Sequence, residues 1–408
     1  MALEHPTRTT PSLQPRYVSR FSCLGPSCED NCCNDWHIGL DKKTFEHYSA
    51  TATGRLAQVV RINPAPRQDS NYGHIALAGE RSECPLLEDK LCSIHRDQGA
   101  GALSHTCFSY PRIWAEIDGQ GEQSLELSCP EAARLALLAP DAFEFEEGSM
   151  SVRPEAVRSV HAMPGFSVDD INQVRHFCIN LMRVGELPLW QRLALLGLFC
   201  ESLDEPVARK DGAAMVVLVA RFTELLQDGA VPDSLAPLQA DHAAQALVFS
   251  ALIEGVPRNT PNRIRRQVIE EVGAGLGADP VTGLADAERV LACYRAGIAR
   301  LPEALAAAPQ LLEHYLLNEM FVNLFPFGAM RPFDSYLRLV TRFGLLRLML
   351  AARCNTDGPL PDAMALVQTV QVHCRRIHHD ATLNQRMDEA LRKGGWARLE
   401  KLFTLLRT

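Results

Sequence analysis

The chain has 408 residues, of which 47% are hydrophobic, 22% charged and 7% aromatic, with a net charge of −8 and a pI near 5.9. This acidic balance excludes wholesale nucleic-acid binding, which needs clustered Lys and Arg against phosphates, and the hydrophobic fraction excludes a disordered chain. No window reaches eighteen uncharged apolar residues, so no membrane span is expected, and the length predicts roughly two to three domains.

The opening, Met1 to Tyr17 (MALEHPTRTTPSLQPRY), carries three prolines and no continuous apolar core. Neither a signal peptide nor an anchor is expected from it, and a reducing, cytoplasmic setting follows. From Phe21 to about Pro130 the sequence is irregular and holds eight of the thirteen cysteines, as Cys23-x4-Cys28-x3-Cys32-Cys33, then Cys84-x7-Cys92, Cys107 and Cys129. In a reducing compartment, the adjacent pair and the short spacings favour a metal over cystines. Ile113–Ile117 and Ser124–Ser128 flank Asp118-Gly119-Gln120-Gly121 and read as a β-hairpin that carries Cys129 back towards Cys107. Residues 17–135 are therefore expected to be a small cysteine-cluster unit stabilised by bound metal.

After Pro130 the sequence becomes rich in Leu and Ala at helical spacing. Helices are predicted over Leu189–Leu203, Ala213–Leu226, Asp241–Glu254, Leu284–Arg300, Pro309–Leu324, Pro332–Cys354, Pro361–His379 and Asn384–Thr408. The predicted fold class is mainly α: an irregular Cys-rich metal-binding N-terminal unit with a short β-hairpin, followed by a helical body over 136–408. The remaining cysteines, Cys178, Cys200, Cys293, Cys354 and Cys374, fall in these apolar stretches and read as packing residues.

Several motifs bear on chemistry. Four cysteinates can close a tetrahedral zinc site, and eight can close two; alternatively, four can hold one [4Fe-4S] cluster. Spacing leaves both readings open. The Cys-x3-Cys-x2-Cys run of radical S-adenosylmethionine clusters begins at Cys28-x3-Cys32, but its third position is Asp35. Gly273-x-Gly275-x-Gly277 follows an amphipathic Arg263–Glu271 stretch, so it reads as a helix C-terminal loop and not as a nucleotide fingerprint. The runs Arg263-Ile264-Arg265-Arg266 and Arg375-Arg376 read as solvated helix faces. His37, His74, His95 and His105 lie among the cysteines and are expected beside a metal more than on it. Around Glu313, i,i+4 spacing pairs His314 with Asn318 and Tyr315 with Glu319.

At Tyr17–Asp41 (YVSRFSCLGPSCEDNCCNDWHIGLD) the sequence resembles the flagellin lysine-N-methylase family. The likeness continues through Glu83-Cys-Pro-Leu-Leu-Glu88, Leu91-Cys-Ser-Ile-His95, Leu103 to Arg112 and Leu127 to Arg134, and returns at Glu313 to Phe327. Cys28-x3-Cys32-Cys33 and Cys-Pro-x-Leu are shared with small iron- or zinc-chelating cysteine-cluster proteins. The Ser104-His-Thr-Cys-x-x-Tyr-Pro111 and Ser128-Cys-Pro-Glu-Ala-Ala133 segments narrow the resemblance to the methylase.

The resemblance implies methyl transfer from S-adenosylmethionine to surface lysine ε-amines of flagellin in the cytoplasm, with an iron-sulfur cluster. It makes the metal-ligand candidates Cys23, Cys28, Cys32, Cys33, Cys84, Cys92, Cys107 and Cys129, and the cofactor-binding candidates Trp36, His37 and Asn318. A lysine ammonium, with a reference pKa of about 10.4, must lose its proton before its nitrogen can attack the sulfonium methyl. Glu319, Tyr315 and Asp35 are the candidate acceptors, expected in a cleft between the cluster unit and the Glu313–Phe327 helix. The alternative function is a non-catalytic iron- or zinc-handling protein, and a zinc-stapled structural adaptor comes third.

Overall fold

The computed structural model describes residues 3, 5–51, 54–66, 68–77, 83–117, 119–160, 165–229, 231–254, 256, 260, 262–279, 281–283, 285–328 and 331–407. Two compact units result. The first comprises Met1–Leu135, Glu144–Val160 and Arg258–Arg266, and the second Ala136–Phe143, His161–Pro257 and Gln267–Thr408.

The strands of the first unit are β1 (Arg8–Pro15), β2 (Ile38–Leu40), β3 (Val60–Ile62), β4 (Gly73–Ile75), β5 (Leu87–Glu88), β6 (Leu91–Cys92), β7 (Arg112–Ile117), β8 (Gln120–Leu125), β9 (Phe145–Val152) and β10 (Arg158–Val160). They form a five-stranded sheet in the order β10-β7-β8-β1-β9, a three-stranded sheet β2-β4-β3 and the pair β5-β6. The expected hairpin is present but tighter than its sequence suggests. Ile117 pairs with Gln120 and Arg112 with Leu125, so the second arm is Gln120–Leu125 and not Ser124–Ser128. Gly119 at φ +88° accounts for this, because a left-handed glycine lets Gln120 and Gly121 pair at once; Asp118 lies outside the described residues.

The sheet that receives this hairpin was not expected. Pro11 and Pro15 speak against a strand, yet β1 runs antiparallel to β9 along its whole length and meets β8 in parallel at Ser12 and Leu13. Tyr17, fully buried, accepts a hydrogen bond from the Leu125 N–H at 3.1 Å and so fastens the end of β1 to β8. A second core gathers Ile38, Leu40, Tyr48, Ile75, Leu86, Ile94 and Leu103 with Cys84, and Cys33, Cys92 and Cys107 pack against it.

The second unit is helical. Its centre is the Pro332–Cys354 helix, at the bounds its sequence predicts, which is buried on almost every side. A helix apolar all round belongs inside a bundle. Leu189–Arg209, Gly212–Gln227, His242–Ile253, Ala287–Leu305, Leu311–Val322 and Ala363–Ile377 correspond to predicted helices with shifted ends. The expected Asn384–Thr408 helix is two, Ala381–Lys393 and Leu399–Leu406, separated where Gly395 takes φ +70°. Val168–Met182 was not predicted; a capping box formed by Ser167 and Asp170 starts it. Arg263–Gly275 is a helix, as its pattern predicts, and Gly277 follows it at φ +79°.

Two glycines let helices approach the central one. A Cβ on Gly275 would stand 1.9 Å from the Ala352 carbonyl oxygen, and one on Gly297 would stand 1.9 Å from that of Ala351. Neither distance is tolerable against rigid backbone. Gly297→Ala is accordingly expected to destabilise the fold by about 1–3 kcal/mol despite alanine's better helix propensity, measured as a lowered denaturation midpoint with an unchanged m-value.

Candidate functional site

The thiols of the first unit converge through short local structures. Asn31 Oδ1 accepts from the Cys33 N–H at 2.9 Å, and the Cys33 carbonyl accepts from the Cys84 N–H at 2.7 Å. The Asn34–Glu83 bridge continues that pairing. Leu87 pairs with Cys92 across a tight turn in which Asp89 and Lys90 both have positive φ, and this returns Cys92 towards Cys84. Ser104 caps the short His105–Ser109 helix by accepting from the Cys107 N–H. Cys129 ends the turn before helix Pro130–Leu138.

Cys32 is the common neighbour. Its sulfur is close enough to act electrostatically on Cys28, Cys33, Cys84, Cys92, Cys107 and Cys129. Burial pushes the Cys28 and Cys84 thiols up to about 11, and Cys107 and Cys129 to about 12. A hydrogen bond with Cys32, then burial, raises Cys33. Cys23 shares Arg112 with Cys129 as a charged neighbour. Such a group resists ionising without added positive charge, and a bound metal ion supplies that charge. The donor set fits a soft metal centre. Four thiolates on one zinc would sit about 3.8 Å apart; among the described residues no three of these sulfurs lie within 4.8 Å of one another.

Beside the thiols, Arg265 is fully buried with Nε 3.2 Å from Asp30 and Nη1 2.9 Å from Asp35, and it also donates to Asn34. These partners flank Cys32 and Cys33, and Asp35 takes φ +59°, a conformation Asp tolerates better than most residues. Its run was expected to be a solvated face, as was Arg375-Arg376. Arg263 and Arg266 are exposed as expected, but the expectation fails for Arg265 and Arg375, which are 0% and 6% exposed. Trp36 donates from Nε1 to the Cys32 carbonyl at 2.6 Å and packs 5.0 Å from the Tyr110 ring, while His37 lies 5.5 Å from His74.

In the second unit, Leu311–Val322 brings Tyr315, Asn318 and Glu319 inward, all buried. Glu319 accepts from Arg342 at 2.8 Å, and its other oxygen lies 3.2 Å from His378 Nδ1. Burial alone would raise Glu319, but His378 and Arg342 outweigh it and hold the carboxyl at about 2. Asn384 Oδ1 accepts from Arg342 at 3.0 and 3.1 Å. Tyr315 Oη lies 3.1 Å from His373 Nε2 and 3.4 Å from His378 Nε2. Burial lowers both imidazoles and keeps them neutral at pH 7. A cavity of about 120 Å³ opens at this network, lined among others by Glu319, Asn323, Phe325, Ser335, Arg338 and Arg342. The i,i+4 pairing of Tyr315 and Glu319 was legible in sequence. Arg342, His373, His378 and Asn384 were not, because they belong to other helices.

Residues 175–405 match the family model described as the FliB lysine N-methylase C-terminal domain, a stretch beyond all eight clustered cysteines. Relatives named lysine-N-methylase, from Salmonella typhimurium and Salmonella choleraesuis, are each 26% identical to the chain. The first aligns over 85% of this chain and 86% of its own length, the second over 85% and 87%. The flagellar biosynthetic protein FliU of Salmonella muenchen is 36% identical over 148 residues, 36% of this chain and 88% of that protein. No solved structure matches. The class is that of the lysine N-methyltransferases. Within it, the chain belongs to the FliB lysine N-methylase family. No helix among the described residues is long and apolar enough to cross a membrane.

Two outcomes follow from these charges. Arg265→Ala removes the buried counter-charge of Asp30 and Asp35 and is expected to cost about 3–5 kcal/mol, read by chemical denaturation. Glu319 has a folded pKa below its ordinary 4.5, so its contribution to stability is complete above that value and is lost as pH falls through about 2. Glu319→Gln should flatten that part of the stability profile between pH 5 and pH 2, measured against the parent.

Proposed function

We propose that the chain methylates surface lysine ε-amines of flagellin, taking the methyl group from S-adenosylmethionine and holding a [4Fe-4S] cluster on the thiols of the first unit. The observation that carries the metal part is the convergence of six other thiols on Cys32. So many thiols around one centre suit a polynuclear cluster, which holds one cysteinate per iron, better than a single four-cysteine zinc site. When bound, the cluster would be a covalent staple for the unit, and an iron left without a cysteinate would be the one to ligate the methyl donor. The flagellin target is supported by the flagellar name of one relative and by the motifs of the first 134 residues.

The reaction itself is a displacement. The neutral lysine nitrogen forms a bond to the methyl carbon as the carbon–sulfur bond breaks, the electron pair stays on sulfur, and the ammonium proton goes to the protein. Glu319, at the edge of the cavity, would attract the incoming ammonium. Being held at about 2, it is a weak base, and the neutral imidazole of His378, which donates to it from Nδ1 at 3.2 Å, would offer Nε2 as the better final proton acceptor. Tyr315 would orient the histidines as a positioning residue. Asp35, paired with Arg265, stands as the acceptor candidate of the first unit. Trp36 and His37 are the cofactor-contact candidates of the first unit, and Asn318 is the candidate of the second.

Anaerobic purification should give iron and sulfide in equal amounts and a brown chromophore that S-adenosylmethionine perturbs. Incubation with flagellin should then add methyl groups to lysines, detected by peptide mass spectrometry. Glu319→Gln should lower that rate about 100-fold or more with iron content unchanged. Zinc without sulfide, and no response to the cofactor, would turn the reading to a metal-handling protein.

A further inference from the structure

Three donors that the methylation reading leaves unused converge in the first unit. His5, Asp41 and His105 offer one ligand atom each, all within 4.8 Å of one another. They come from separate stretches: the segment before β1, the residue before helix Lys42–Thr51, and the start of helix His105–Ser109. Asp41 is 6% exposed and fixed twice over, since Thr44 donates to it from N–H at 2.9 Å and from Oγ1 at 2.6 Å. Ligating carboxylates ordinarily carry such outer bonds.

The two imidazoles are free to ligate. Thr44 Oγ1 has given its hydrogen to Asp41, so His5 Nε2, 3.0 Å away, donates to that oxygen and Nδ1 keeps the lone pair. On His105, Nδ1 is buried without a hydrogen-bond partner, and Nε2 stands 3.7 Å from Asp41 Oδ2, beyond hydrogen-bonding range. The ring is half-buried, and a buried ring nitrogen without a partner calls for a water or an ion. The His5 and His105 rings lie 4.6 Å apart at 57°, side by side on the carboxylate.

We propose that His5, Asp41 and His105 bind a divalent first-row transition ion, with zinc as the reference metal, at a site separate from the thiols. Two imidazoles and one carboxylate form a donor set that such ions favour, with further positions left for water. Arg153 and Lys43 add positive charge nearby and Glu155 negative charge. Arg153 is already committed to the carbonyls of Leu103, Ala100 and Gly101. The bound ion pins the segment before β1 to the helices that carry Thr44 and Cys107.

The test uses the full chain with its thiol site already loaded anaerobically, titrated with cobalt(II) or zinc. The parent should bind one further equivalent, show a cobalt d–d band without thiolate charge transfer, and gain thermal stability on zinc addition. His5→Gln and Asp41→Asn should each weaken that step at least about 10-fold with thiol-bound metal unchanged. Asp41→Asn keeps an acceptor for the Thr44 N–H, and His5 lies far in sequence from any cysteine, so a folding defect would show separately as lost thiol-bound metal. Equal metal uptake and an equal rise in Tm in parent and variants, or no uptake by the parent beyond the thiols, would overturn the proposal.

Discussion

A helix with no solvent-facing side can carry charge only where a partner has been built for it, and of the five charged residues on Pro332–Cys354 two, Arg342 and Arg347, are buried. Arg342 meets Glu319 and Asn384, and Arg347 donates to the carbonyls of Leu405 and Leu406, which end the last helix. Each pair forces another helix to a fixed height along the central one. Leu311–Val322 is set by Glu319, Ala381–Lys393 by Asn384, and Leu399–Leu406 by its own unsatisfied carbonyls. The cavity beside Glu319 exists because these alignments hold its walls apart. Packing alone would tolerate sliding; buried ion pairs do not.

The first unit meets the same constraint with different chemistry. Its core is thin, and polar or sulfur-bearing side chains occupy places that aliphatic ones would fill in a larger domain. Buried arginines tie its loops together, Arg153 through the carbonyls of the Gly99–Leu103 region and Arg265 through the carboxylates beside Cys32. Six thiols then share exposed Cys32 as a neighbour, and burial opposes the ionisation of those six, so a cation gains more there than it would at an exposed cluster.

Much of this was legible from residue order. The concentration of eight cysteines marked the unit, and helical periodicity located the central helix because its pattern is uninterrupted from Pro332 to Cys354. What escaped detection has a common cause. β1 and β9 pair across more than a hundred residues, and Pro11 hides the first of them. Arg265 and Arg375 look like surface charge because nothing local reveals the partner that buries them. His373 and His378 join Tyr315 and Glu319 only through tertiary packing. Local signals such as Gly119 and Gly395 were visible, but their exact effect on strand and helix ends depends on φ values that composition does not specify.

The first unit is discontinuous, and that has a consequence for how the protein is made. Arg265 belongs to the same compact body as Cys32 and Cys33, although more than two hundred residues separate them in the chain. A ribosome releases those cysteines long before it releases their buried counter-charge. During that interval Asp30 and Asp35 have no arginine, and the thiols stand in an unfinished pocket. The charge balance of this pocket is thereby completed only after nearly half of the helical sequence has been synthesised, so the nascent chain must pass through a stage in which its most oxidisable residues are also its least protected.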